Sequence, residues 1–207
     1  MKKGLLWGLI CMVLVLTGCG SKDSKDSESA IEKAKKSSNS VICTQTKKMN
    51  YYDIEALKEQ EAGTYQEGLK DMPDYADPAE REAAYAERER KRAVDAGTFT
   101  KEYIYEFNKA GNQIENVYLI VTSDFNHDEV TDSMLKANKD YLDSYYKDSD
   151  EYTSYKITID GKKVIRELTY NMDKIEDRNK LSMSKEQLIL QASYTSKDGN
   201  SNICVAN

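Results

Sequence analysis

Hydrophobic positions divide the chain into three stretches of different character. Residues 5–16 form an apolar run of twelve residues. That is too short to cross a hydrocarbon core of about 30 Å, which takes about 20 helical residues. Residues 19–40 are mostly Ser, Lys, Asp and Glu. So little apolar surface cannot offset the entropy of ordering, so this stretch is expected to be a flexible tether, its one apolar knot at residues 31–34 flickering helical at most. From residue 41 on, apolar residues recur with the periods of strands and helices.

Residues 41–47 read as a first strand carrying Cys43. Residues 51–62 place Ile54 and Leu57 at helical spacing before Gly63, although "MNYYDI" could instead prolong the strand. A helix is expected from Pro78, with Asp77 as cap, Glu80 completing a capping box and Gly97 as its end. Its apolar stripe is only Ala79, Ala83, Ala86 and Ala93, so it should lie mostly in water, supported by a Glu87–Lys91 pair. A partner could use its basic last turn; a solvated face is the simpler reading.

From Thr98 the period changes to two. Tyr103, Tyr105 and Phe107 share one face, with Glu102, Ile104 and Glu106 on the other. "NKAGN" turns the chain into a return strand at residues 114–121, apolar on both faces. Residues 127–146 are expected to form the principal helix, faced by Val130, Met134, Leu135, Tyr141, Leu142 and Tyr145 and capped by Asn126 with Glu129. A second hairpin alternates through Thr153, Tyr155, Ile157 and Ile159, turns at Asp160-Gly161, and returns through Val164, Arg166, Leu168 and Tyr170. Ser184 and Gln187 open a short helix through Leu188, Ile189 and Ala192. "NICVAN" then brings Cys204 back toward the first strand. The expected class is α+β: an antiparallel sheet of two hairpins plus terminal strands, covered by one long helix and a short C-terminal helix. The expected organisation is a signal segment at 1–18, a tether at 19–40 and a single α+β domain at 41–207 with a helical insertion at 48–97.

The apolar run follows a positive start at Lys2 and Lys3 and ends in Leu16-Thr17-Gly18-Cys19. A charged start, a short greasy middle and small residues at the end describe a secretory signal peptide. The last four residues resemble the lipobox of bacterial lipoproteins. That resemblance implies cleavage before Cys19, a thioether-linked diacylglycerol on its thiol and palmitate or another acyl chain on its amine. Several acyl chains anchor stably where one is marginal. The alternative is an ordinary signal peptide cut nearby, leaving a free thiol. The expected partner is the lipid bilayer, through acylated Cys19, at the extracytoplasmic face of the cell membrane. Gly20 leaves an outer-membrane address open.

Removing 18 of the 207 residues leaves 189 and, with Lys2 and Lys3 gone, takes the net charge from −6 to −8. An acidic chain of this kind is a poor partner for nucleic acid or anionic lipid. Beyond Cys19 only Cys43 and Cys204 remain. In an oxidising compartment an even pair is expected to be a disulfide, the alternative being two separate buried thiols. Fifteen tyrosines against three phenylalanines suit a thin core with a wet boundary, and also suit binding surfaces.

His127 is the one histidine, and it stands where a helix is expected to begin. A solvated or capping role is the simpler reading there. The chain contains no GxSxG, HExxH or glycine-rich phosphate loop. Its 36 acidic residues guarantee close carboxylates somewhere, so no chosen pair is informative. Asp124, Asn126 and Asp128 open like a calcium loop, with Asp132 at the ninth position. Glu129 then stands where glycine makes the turn and Leu135 where a bidentate glutamate closes the shell, so capping is the simpler reading. No catalytic residue, metal or cofactor is assigned.

The order of elements, carried by "VICTQT", "YIYEFNKAGNQIENVYL", "YLDSYYKDSDEYTSYKITIDGKKVIRELTYNMDKI" and "ICV", resembles the YehR-like small bacterial lipoproteins. This is a family of unknown function common in Gram-positive bacteria. The resemblance covers residues 40–47 and 98–205, around two thirds of the mature chain, and departs from the family at residues 48–97. It implies lipid anchoring and a cysteine pair, and no established activity. The functional expectation is a non-enzymatic binding or envelope-accessory domain with an unidentified protein or cell-envelope partner. The alternatives are an envelope hydrolase using a carboxylate pair and a small solute-binding lipoprotein.

Overall fold

A computed structural model describes residues 28–66, 77–175, 181–195 and 201–207. The expected signal segment at 1–18 and residues 19–27 of the expected tether, Cys19 among them, lie outside the described residues.

The class is α+β. Among the described residues seven strands form one antiparallel sheet: β1 (Ser40–Met49), β2 (Gly97–Phe107), β3 (Ile114–Phe125), β4 (Tyr152–Asp160), β5 (Lys163–Tyr170), β6 (Tyr194–Thr195) and β7 (Ser201–Ala206), in the spatial order β4-β5-β3-β2-β1-β7-β6. The helices are α1 (Ala30–Lys36), α2 (Tyr51–Glu61), α3 (Pro78–Ala93), α4 (Asp132–Lys147) and α5 (Lys185–Ala192). Among the described residues no helix is long and apolar enough to cross a membrane.

Alternation sorts the strands into two faces. Val41, Cys43, Phe99, Tyr103, Leu119, Val121, Val164 and Leu168 point to one. Over its broad end α2 and α4 bury Ile54, Leu57, Met134, Leu135 and Leu142 against the sheet. At the other end α5 buries Leu188 beside Cys43, Cys204 and Val117. The cover is therefore not the one long helix expected but a pair, α2 and α4, joined by Asn138 Nδ2 donating to Gln60 Oε1 at 2.8 Å. The short α2 carries two fully buried side chains, more than its length suggests.

Capping chemistry sets most helix starts. Asn50 ends β1 and opens α2: its side chain accepts from the Tyr52 N–H at 3.0 Å, while Asp53 accepts from the Asn50 N–H at 2.8 Å. This settles "MNYYDI" as helix rather than strand. Ser184 and Gln187 form the expected reciprocal box at α5. Asp77 accepts from the Ala79 N–H at the start of α3, in which no residue is buried.

Several boundaries differ from expectation. The stretch read as tether holds α1, capped by Ser29, with Ile31 and Ala34 buried on the second sheet face against Ile104 and Tyr118. Two apolar residues suffice there because the sheet supplies their partners. Helix α4 begins at Asp132 with Thr131 as cap, not at His127 with Asn126. The reason is that β3 stays paired as far as Phe125 opposite Gly97, so the chain must still turn before a helix can start. Gly97 does not end α3, whose cap is Val94; it opens β2 at φ 124°. Lys91 leaves Glu87, which pairs with Arg90, and reaches Glu55 on α2 instead.

Candidate functional site

Between the sheet and the α2–α4 pair lies a cavity of about 490 Å³. Its floor is made by adjacent sheet rows. Lys47 of β1 is the register partner of Phe99 on β2, which faces Ser123 on β3. In the next row Lys101 of β2 faces Val121 of β3, and Val121 faces Arg166 of β5. Three cations thus surround one ring. Lys47 Nζ is 4.8 Å, Lys101 Nζ 5.6 Å and Arg166 Cζ 5.7 Å from the Phe99 centroid.

Among the described residues these cations share no ion pair with a carboxylate, whereas Lys35, Lys58, Lys91, Lys139 and Lys163 each meet an acid. Burial, with Arg166 and Lys47 close by, holds the Lys101 ammonium below the usual lysine range. Arg166 Nε is buried with no hydrogen-bond partner, an arrangement that natural interiors rarely leave uncompensated. Among the described residues the acid lining the cavity is Asp53, whose carboxylate accepts from the Asn50 N–H at the α2 cap. Leu57 and Leu142 form the apolar wall, and Tyr65 and Tyr141 meet edge to face at 5.1 Å.

A second, apolar cavity of about 340 Å³ lies at the α5 end, lined by Tyr103, Tyr105, Tyr170 and Leu188 among others. Burial, with Tyr103 beside it, pushes the Tyr105 phenol up to about 12. Burial, with Tyr152 and Tyr103 nearby, also pushes Tyr170 up.

The residues singled out from the sequence are dispersed. The sulfurs of Cys43 and Cys204 stand at disulfide distance, 2.09 Å. Asp124 pairs with Lys163 at 3.0 Å, Asn126 donates to Asp95 at 3.4 Å, and Asp128 is exposed, so the calcium candidates do not converge. Among the described residues no group of three or more His, Cys, Asp or Glu could hold a metal. His127 Nδ1 accepts from the Glu129 N–H at 3.3 Å, and its ring meets Tyr51 edge to face.

Sequence reasoning missed the cationic floor, although a signal was present. Arg166 alternates with Val164, Leu168 and Tyr170, and Lys101 with Phe99, Tyr103 and Tyr105. A charge at core-face parity is a departure that asks for an explanation.

No family model, no curated protein and no solved structure matches the chain.

Proposed function

We propose that the chain is a lipid-anchored extracytoplasmic protein of the YehR-like kind, a non-enzymatic domain that binds a ligand in the cavity between the sheet and α2–α4. Acylated Cys19 holds it to the bilayer, and the residues between Cys19 and α1 set its distance from the headgroups. The β2–β3 and β4–β5 hairpins serve as a rigid scaffold for the cationic floor. The observation that carries the binding reading is that floor: Lys47, Lys101 and Arg166 around Phe99, without a carboxylate partner among the described residues. The volume falls within the range of small-molecule sites. A carboxylate-pair hydrolase has less support, because among the described residues Asp53 is the one acid lining the cavity, and it is engaged at a helix cap.

Two measurements test the reading. Cys19→Ala should move the protein from the membrane to soluble or unprocessed fractions, and a native mature N-terminus bearing an unmodified cysteine overturns the anchor. Ala56→Trp, which puts a large ring into the cavity from α2, should abolish the thermal stabilisation that small ring-bearing compounds give the wild-type chain. Stabilisation that survives this substitution overturns the cavity as the binding site.

A further inference from the structure

The cationic floor has a property that a purely structural role leaves unexplained. Cation–π attraction to an aromatic face contributes about 0.5–2 kcal/mol per cation. One phenyl ring has two faces and no net charge. It cannot neutralise three positive groups, one of them a lysine whose ammonium is disfavoured by burial and by the other two. A carboxylate among them would relieve this, and among the described residues none pairs with any of the three. The site retains its positive charge in a chain whose net charge is −6. That marks a local recognition feature rather than a general attraction for anions.

The donor set narrows the ligand. Two ammonium groups and one guanidinium gather on one floor, and the guanidinium fork suits bidentate pairing with planar or tetrahedral oxyanions. A single carboxylate would balance one of the three charges. A phosphate monoester dianion balances two and offers three acceptor oxygens. The rest of the wall, Phe99, Leu57, Leu142 and Tyr141, is suited to a ring or apolar body attached to that group.

We infer that the cavity beneath α2 and α4 takes a phosphate-monoester ligand, its dianionic head held by Lys47, Lys101 and Arg166 and its apolar body packed on Phe99 and Tyr141. The inference rests on the reading of this cavity as a binding site and names its ligand class. The same head group occurs on soluble phosphate esters and on phosphatidate in a bilayer.

The test uses the full chain in neutral detergent micelles, titrated calorimetrically with phenyl phosphate and separately with phenol. Phenyl phosphate should bind saturably at one site, and Lys101→Met or Arg166→Met should each weaken it about tenfold or more. Lys163→Met, whose lysine pairs with Asp124 on the other sheet face, should bind like wild type. The ligand-free Lys101→Met variant should melt no lower than wild type, since it loses a repulsive charge; this separates lost binding from lost fold. Inorganic phosphate and dihexanoyl phosphatidate should both compete. The stronger competitor identifies a soluble or a lipid source.

Phenol binding as tightly as phenyl phosphate, or Lys101→Met binding phenyl phosphate unchanged, overturns the inference and leaves the cavity a ligand site of another class. Binding of neither probe also overturns it, and the Ala56→Trp comparison then decides separately whether the cavity binds anything.

Discussion

Cys43 and Cys204 stand directly opposite each other on β1 and β7, their Cα atoms 4.0 Å apart, and their sulfurs join positions 161 residues apart. The bridge lies where the two ends of the fold meet in register, and it restrains the unfolded chain. Closing a loop of this length is worth up to about 5 kcal/mol in the chain-entropy account. Cys43→Ala with Cys204→Ala should therefore lower the urea midpoint by the equivalent of about 3–5 kcal/mol. Thiol labelling of unreduced, denatured wild-type protein should modify neither cysteine. Labelling at both would remove the bridge.

Helix α1 is short, yet Ile31 is buried on the second sheet face with Ile104 and Tyr118. Lys35 pairs with Glu102 below it, and the Asn207 side chain donates to the Lys35 carbonyl. Ile31→Ala should cost about 2 kcal/mol through lost burial and the cavity left behind. Lys33→Ala, on the exposed side, should stay within about 0.5 kcal/mol. Equal effects in chemical denaturation would show that α1 does not pack.

Gly97 opens β2 at φ 124°, and a Cβ there would meet the Asp124 carbonyl oxygen at 2.0 Å. Both the dihedral and the backbone contact forbid a side chain, so Gly97→Ala should destabilise by about 2–4 kcal/mol. A melting temperature within a degree of wild type would contradict this placement.

Tyr105, held up at about 12, makes stability depend on alkaline pH. An unfolded tyrosine ionises near pH 10, whereas the folded one keeps its proton until about 12. Its contribution is thus fully present below pH 10 and is lost as pH rises through the folded value, at about 1.4 kcal/mol per pH unit within that window. Tyr170 shifts the same way. Tyr105→Phe should flatten this slope in denaturant titrations between pH 9 and 11.5, and an unchanged slope would place the effect elsewhere.

Local rules carried far along this chain. Two-residue alternation found the faces of β2 and β5, Asp160-Gly161 marked the turn between β4 and β5, and Asp77, Ser184 and Gln187 opened the helices they were expected to open. Each signal is written within a few residues of the structure it governs. The errors share the opposite character. The start of α4 moved because β2 keeps β3 extended to Phe125, and α1 formed because Ile104 and Tyr118 wait for it across the sheet. Lys91 chose Glu55 on another helix over Glu87 one turn away.

The amino-acid sequence by itself determined the α+β class, most strand faces and helix caps, and the pairing of Cys43 with Cys204. Those follow from side-chain period, capping geometry and the chemistry of thiols. Tertiary structure alone decided that Lys47, Lys101 and Arg166 meet around Phe99, because strand register, set by the whole sheet, pairs β1 with β2 and places β5 across β3 from β2, over gaps of 54 to 119 residues. A cation's neighbours across a sheet depend on pairings that no local pattern encodes.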